Sequence, residues 1–479
     1  MLLVAVFAAS PRAQSLPALL APEPAAESGA GGSWAGWLGP IEAPADESPP
    51  SPWRMDKAIG TPAWLTVSGA IRARYEHIDG QFRSNPKFAE DDQLILLRTN
   101  VKAEARFEGG NGVVELMDSR QGLATESTPL GTAEVNTLDV LQAYVEFDLG
   151  ALGDGEHKLR VGRETIDLGS RRFVARNGYR NTIQAFTGVD WMYTGEDGST
   201  ARAFWTMPVM RRPGDLDALL DNDQDWDTQS RDMQFLGLHG STPLDERTHA
   251  EAFVFYLHES DRDTRRRRLT TPGFRVQRKP EAGEFDYEVE AAYQFGRSAS
   301  SSGGPSLDHS AHFEHVSAGY TFQDEWTSRL GVALDHATGD RKPTDGDNQR
   351  YDSLFGPPRP EFGPTNLWRA FVRSNVLSPE LRWSFKPCDD VSAFVAHRGF
   401  WLASDRDAWV GASVRDPSGD SGDYIGQQLE VRARIDVIPK SFRLEFGAAH
   451  LFTGSFPSRA AGGSAGDSNY VYSAATWFF

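Results

Sequence analysis

Residues 63–76 read AWLTVSGAIRARYE. Leu65, Val67, Gly69, Ile71, Ala73 and Tyr75 take the odd positions, and Thr66, Ser68, Ala70, Arg72, Arg74 and Glu76 the even ones. A period of two puts the first set on one face of an extended strand and the second on the other. The run is longer than the ~5–6 residues usual in a globular sheet. It is long enough for a tilted strand to cross hydrocarbon, which takes about 9–11 residues.

Working outward, the same alternation returns. Ile95, Leu97, Val101, Ala103, Ala105 and Phe107 oppose Arg98, Asn100, Lys102, Glu104 and Arg106. Leu141, Ala143, Val145, Phe147 and Leu149 oppose Gln142, Tyr144, Glu146 and Asp148. Phe285, Tyr287, Val289, Ala291, Tyr293 and Phe295 oppose Asp286, Glu288, Glu290 and Gln294, and Ile425, Leu429, Val431, Ala433, Ile435 and Val437 oppose Gln428, Glu430, Arg432, Arg434 and Asp436. Short turn clusters such as EGGNG and IPKS alternate with long Gly-, Pro- and Asp-rich stretches at 211–231, 297–308, 339–366 and 404–423. No long helix is evident. Dividing 63–479 by roughly 23 residues per strand and connection gives about 18 strands. The expected fold is all-β: a transmembrane antiparallel up-and-down β-barrel. The chain ends YVYSAATWFF, an amphipathic strand closing on Phe479, like the segment by which outer-membrane barrels engage their assembly machinery.

Composition fits this reading. The 479 residues carry a formal charge of −18, are 39% hydrophobic and include 13 Trp, 12 Tyr and 28 Phe. The mean hydropathy is −0.47. No run of about 20 apolar residues is present, which excludes a helical membrane protein. The aromatic content argues against global disorder. Cys388 is the single cysteine, so disulfides do not build the fold. An acidic chain with no broad basic tail disfavours nucleic-acid binding. A barrel, in contrast, hides its apolar band in alternation.

Three domains are expected. Residues 1–13 form a signal-like segment: LLVAVFAA, Leu2 to Ala9, has the length of an apolar signal core. It lacks a basic start, and a cleavage after Ala13 would place Pro11 at the −3 position. No lipobox cysteine follows. Residues 14–60 are a Pro/Ala/Ser/Gly-rich linker interrupted by Trp34, Trp37 and Trp53, and 61–479 form the barrel.

The polar faces point into a barrel lumen. Projected strand by strand, they hold more Arg and Lys than Asp and Glu, although the whole chain is acidic. Candidate conduit residues are Arg72, Arg74, Arg98, Arg160, Arg163, Arg398, Arg432 and Arg434, joined by Arg171, Arg172, Arg176 and Arg180 of the dense basic segment 160–180. Guanidinium groups offer fixed donors matched to carboxylates, so such a pore would select anions. The alternative is that Arg–Glu ladders merely brace the wall. The Gly-Ser-Arg-Arg break at 169–172 reads as a connection folded into the lumen, or else as a solvated surface loop.

At this segment the chain resembles the alginate export family of outer-membrane proteins. The stretch LRVGRETIDLGSRRFVARNGYRNTIQAFTGVDWMYTG (159–195) is similar to that family's Val-Gly-Arg run, Gly-Ser-x-Arg turn, Arg-Asn-Thr segment and Phe-x-Gly-Val strand. FDYEVEAAYQFG (285–296), the Gly-Asp-rich 335–356 and the hairpin 424–456 agree with it in order. Gly178-Tyr179 stands where the family often has Trp. The resemblance implies an 18-stranded monomeric barrel with an arginine-lined conduit for the anionic polysaccharide alginate.

Catalytic chemistry finds little support. Asp335 and His336 are adjacent on a strand and point to opposite faces. His309 and His315 share a face that His312 does not, so the three do not make a metal site together. No HExxH, GxSxG or P-loop spacing occurs. No catalytic residue, metal site or cofactor is expected, with a weak calcium-like pattern at Asp340, Asp345, Gly346 and Asp347 in loop 340–347 as the exception. Arg265 to Arg268 could meet an anion or a lipopolysaccharide phosphate, though a rim patch without a ligand is the simpler reading. The expectation is therefore a passive export channel for an anionic polysaccharide in the bacterial outer membrane. It would be surrounded by lipid and lipopolysaccharide, work as a monomer and be served by a periplasmic polymer-delivery protein. An anion-selective uptake porin for small sugar acids or oligosaccharides, a barrel hydrolase or lyase, and a structural anchor with a plugged lumen stay open as alternatives.

Overall fold

The computed structural model describes residues 53–479, apart from 152–154, 261–263 and 359–360. The signal-like segment and the linker up to residue 52 lie outside the described residues. Each alternating stretch forms a strand paired antiparallel with its neighbours in the chain, beginning with Leu65–Asp79 and Asp91–Phe107 and ending with Phe442–Thr453 and Ser468–Phe478. The first strand also pairs with the last, from Ala70 opposite Phe478 to Asp79 opposite Asn469. Among the described residues 18 strands close into this wall, and a further two-residue strand, Asp347–Asn348, lies in a connection against Leu307–Thr321. Closure leaves no unpaired edge, which a sheet in lipid requires.

Burial settles which way each face points. Arg72, Arg74 and Glu76 are 3%, 2% and 0% exposed, whereas Ile71 and Tyr75 are 49% and 37% exposed. A sheet folded in water would bury the isoleucine and expose the arginines. The inversion is what a barrel in lipid needs, with its apolar face outward.

Two β-bulges correct the faces assigned from the sequence. Glu115 pairs with Gln142 but Leu116 pairs with Val140, so Leu141 is an extra residue and turns inward, 3% exposed. Phe400 pairs with Gly426 but Trp401 pairs with Tyr424, so Ile425 is extra and 1% exposed. One inserted residue shifts the inside–outside alternation locally.

The two ends of the barrel differ. Short connections such as 108–109, 196–199, 389–390 and 439–441 lie at the end where the chain enters and leaves the wall. There Gly69 and Phe479 exchange two backbone hydrogen bonds, 2.8 and 3.0 Å, and the Trp53 ring meets those of Trp477 and Phe479 edge-on. A one-turn helix, Met55–Ile59, precedes the first strand. Long connections, 165–185, 209–232, 338–375 and 402–423, gather at the other end.

Two of these long connections, 165–185 and 338–375, fold into the barrel. Phe173 packs against Phe253 and Phe313 of the wall, Tyr179 against Tyr472, and Trp368 against Tyr470. The lumen is thus not polar throughout, as the pattern reading supposed. At the long-loop end its wall carries Phe204, Phe235, Phe253 and Phe255, all buried. Gly237 and Gly273 make room for them: a Cβ there would fall 2.2 and 2.3 Å from the rings of Phe204 and Phe253.

Candidate functional site: the charged lumen

The inward charges divide into two groups. The first lies along the wall and the connection 165–185, where cations meet acids or grip that connection's backbone carbonyls. Arg72 and Arg98 both donate to the carbonyls of Gly178 and Arg180, at 2.6–3.0 Å, and Arg74 donates to that of Tyr179 at 2.8 Å. The Arg74 guanidinium also lies 3.9 Å over the Tyr179 ring. Three wall arginines therefore grip the backbone of the connection 165–185 where Gly178-Tyr179 stands. The expectation that this basic segment enters the lumen agrees with the fold.

Arg172, on the same connection, is 6% exposed. It bonds Glu288, Glu290 at 2.6 Å and Glu361 at 2.6 Å. Arg373 bonds Glu361 at 2.6 Å and the Arg172 carbonyl at 2.9 Å, and Arg275 bonds Glu288 at 2.8 Å. Arg275 also bonds Glu251 at 2.6 Å, so Arg172, Arg275 and Arg373 face four glutamates and join two connections to the wall. Burial works against the charge on Arg172, but the glutamates outweigh it and hold its pKa well above the usual arginine range. Burial pushes the Glu361 carboxyl up, and Arg373 and Arg172 bring it below its ordinary value.

The other expected conduit residues are distributed as follows. Arg398 bonds Asp335 at 2.7 Å and Glu380. Arg160 bonds Glu146 at 2.6 Å and Glu164 at 2.9 Å. Arg163 meets Asp139 at 3.1 Å, and Arg176 meets Glu115 at 2.6 Å. Arg171 and Arg434 have looser carboxylate neighbours, Asp167 and Glu445, both at 3.6 Å, and Arg432 lies over the Phe394 ring.

The second group is a cluster of arginines drawn from four connections: Arg83, Arg180, Arg211 and Arg369. Among the described residues, Glu134 is the one carboxylate that pairs with any of them, at 3.1 Å from Arg369. Arg83 donates to the carbonyls of Leu367 and Trp368 at 2.7 and 2.9 Å, and Arg211 to the carbonyl of Thr132 and to Gln184. The Arg180 side chain makes no hydrogen bond among the described residues, and its Nε is buried. Burial, then the charges of Arg369 and Arg211, push its pKa down to about 9. Burial, then Arg369, does the same to Arg83, also to about 9. Guanidinium keeps its proton in proteins, so these depressions mark charge that lacks a counter-ion. An anion placed among the four would relieve them.

Of this cluster only Arg180 was expected from the sequence. Arg83, Arg211 and Arg369 sit in irregular connections where no period points to a shared face. Elsewhere, Arg265 and Arg267, read as a rim patch, meet the buried Asp352 at 3.1 Å. Among the described residues Asp340, Asp345 and Asp347 do not converge into a three-ligand site. His309 and His315 point inward and His312 outward, as the strand period required.

Comparison with known proteins agrees with the geometry. Solved structures of similar fold include the outer-membrane protein OpdK of Pseudomonas aeruginosa, 11% identical with a TM-score of 0.56, covering 86% of this chain and 98% of that one. OccAB4 of Acinetobacter baumannii is likewise 11% identical with a TM-score of 0.56, over 86% of this chain and 98% of its own. OprD of Pseudomonas aeruginosa is 12% identical with a TM-score of 0.55, over 87% and 93%. No curated protein sequence matches the chain significantly. The family model described as alginate export matches residues 63–471. Family and porin-like fold together support a channel of the bacterial outer membrane rather than an enzyme. On that match the chain belongs to the alginate export family.

Proposed function

We propose that this barrel conducts an anionic polysaccharide, alginate or a related polyuronate, outward through a lumen whose arginines meet the polymer's carboxylates. The observation that carries the reading is the cluster Arg83–Arg180–Arg211–Arg369, four guanidinium groups of which, among the described residues, only Arg369 pairs directly with a carboxylate, that of Glu134. A uronate carboxylate matches the donor fork of arginine, and several weak sites in series allow entry and release. Transport is passive, driven by the polymer gradient or by a periplasmic delivery protein. The acids interspersed along the lumen keep a polyanion from binding too tightly.

A second reading is uptake of small carboxylates. The inward-folded connections favour it because they fill the long-loop half of the lumen with packed aromatic rings. One solved structure of the similar OpdK contains vanillate, a small carboxylate of that protein's own. Recording from the full chain in planar bilayers separates the two. Export predicts anion-selective current blocked by polyuronate more strongly than by its monomer, and a block about tenfold weaker in Arg180→Gln, for loss of one charge-assisted bond. Equal competition by monomer favours uptake. Cation-selective current with no block by either overturns both.

A further inference from the structure

The outward face of the barrel is apolar, and three ionisable side chains interrupt it together. On the strand Leu307–Thr321, His312 and Glu314 face outward, two residues apart. On the neighbouring strand Arg329–Ala337, His336 lies directly opposite Glu314. The Nδ1 of His312 is 2.6 Å from one carboxylate oxygen of Glu314, and the Nδ1 of His336 is 2.8 Å from the other. The two rings are 5.4 Å apart. Their surroundings along the wall are hydrocarbon-facing: Val316, Val332 and Leu334 are 48%, 55% and 44% exposed. Tyr293, opposite His312, and Phe295 stand at the same level, toward the long-loop end. An ionisable trio on a lipid-facing wall needs a reason, because such groups are costly there.

We propose that His312, Glu314 and His336 bind a divalent cation of the zinc class on the outer surface of the barrel. Two imidazoles and a carboxylate are the nitrogen–oxygen donor set of zinc sites that keep an open fourth position. Calcium and magnesium prefer all-oxygen shells. Candidate donor atoms of the three residues all lie within 4.8 Å of one another. A tetrahedral ion with bonds of ~2.0–2.1 Å separates its ligand atoms by about 3.3 Å. The present N···O distances are 2.6 and 2.8 Å, so each must widen by roughly 0.6 Å. The side chains are 29–41% exposed and have room to do so. In binding, the metal replaces the hydrogens that the two Nδ1 atoms share with Glu314, and each neutral ring carries its proton on Nε2 instead.

The position gives the ion a structural consequence. His312 and Thr338 exchange two hydrogen bonds, His312 N to Thr338 Oγ1 at 3.1 Å and Thr338 N to the His312 carbonyl at 3.1 Å. Thr338 opens the connection 338–375 that enters the lumen, and its carbonyl accepts from Tyr351 and Asn375. The metal would staple two wall strands at the root of that connection.

The test uses the untagged full chain in detergent, stripped with a chelator and titrated with Zn²⁺ by calorimetry, then with Co²⁺ by visible absorption. The expectation is one Zn²⁺ per chain, a tetrahedral Co²⁺ spectrum and an upward shift in melting temperature on metal addition. His312→Gln and His336→Gln should each weaken binding more than tenfold and remove the shift. His397→Gln, on an exposed outward histidine two strands from His336, should leave both unchanged. Heat-modifiable gel mobility confirms that each variant is folded, and a variant that does not fold is replaced by the corresponding alanine. Absence of stoichiometric binding by the parent chain, or undiminished binding by the folded His312→Gln/His336→Gln double variant, overturns the proposal.

Discussion

Replacing Arg172 with methionine tests whether the buried ion network holds the connection 165–185 in the lumen. Methionine keeps much of the length and removes the charge. Of the three carboxylates that Arg172 meets, Glu288 keeps Arg275 at 2.8 Å and Glu361 keeps Arg373 at 2.6 Å. Among the described residues Glu290 keeps one direct hydrogen bond, from the Ser170 hydroxyl at 2.7 Å, on the same connection, with Arg275 opposite it on the neighbouring strand. One buried carboxylate out of three therefore loses its directly bonded cation. Breaking a buried pair costs about 3–5 kcal/mol, and the two surviving partners argue for the lower end, ~3 kcal/mol. At ~1.4 kcal/mol per decade, the open-to-docked ratio of the connection rises about a hundredfold. Single-channel recording should show longer or more frequent openings, and limited proteolysis should cut within 165–185 correspondingly faster. Adding Glu290→Gln removes the stranded charge and should recover at least ~1 kcal/mol, a coupling that a double-mutant cycle reads directly. Wild-type dwell times and protection in Arg172→Met would refute the reasoning. So would identical behaviour of Arg172→Met with and without Glu290→Gln.

Acid should undock the connection 338–375 only under strongly acidic conditions. Burial raises the Asp352 carboxyl, but Arg267 and Arg265 bring it down to about 2. The folded pKa is depressed, so its contribution is complete above about pH 4 and is lost as pH falls toward 2, a difference of roughly 2–3 kcal/mol. Protease protection of 338–375, followed from neutral pH downward, should show that loss in the parent and not in Asp352→Asn. On the outer wall, Val332→Lys should cost ~2–4 kcal/mol in folding into bilayers, while Phe285→Lys at the short-turn rim should cost only ~0–1, as read by urea titration. Equal costs at the two depths would contradict the lipid-facing assignment of Val332, which is 55% exposed.

The wall was legible in the sequence because one period governs it. Ile71 and Arg72 need no tertiary information to be placed on opposite faces. The inserted residues Leu141 and Ile425 were not legible, since a bulge is an event of pairing and exists only when the partner strand is known. The inward aromatic wall left a trace that the polar-inside rule overrode. In FVFYL, 253–257, both faces are apolar, and Phe253, Phe255 and Leu257 are the buried ones. The cluster around Glu134 was the least legible. Arg180 stood out within a basic run and Arg211 has Arg212 beside it, but Arg83 and Arg369 carry no local signal, because only the docking of separate connections brings them together. The histidines show the same limit. Strand period correctly separated His312 from His309 and His315, yet its actual neighbour, His336, lies on the next strand.

The two groups of lumen arginines differ in what an anion can do for them. Around Arg172 every guanidinium already faces a carboxylate, and a ligand would have to replace a buried bond with a similar one. Little free energy is available there, so that group suits bracing more than conduction. Around Arg180 the balance is different: Arg83 and Arg211 spend donors on carbonyls and amides, and Arg180 has none engaged among the described residues. A carboxylate arriving there gains charge compensation without displacing one. Glu134 then limits the affinity, since it competes for Arg369 from 3.1 Å. The four arginines come from separate connections, so an anion that binds them also draws those connections together. Such a ligand favours the docked arrangement by its differential affinity for it, and must bind weakly to be released. On the proposed reading polymer occupancy and loop position are linked, and removing Glu134 should tighten the block by polyuronate while slowing its relief.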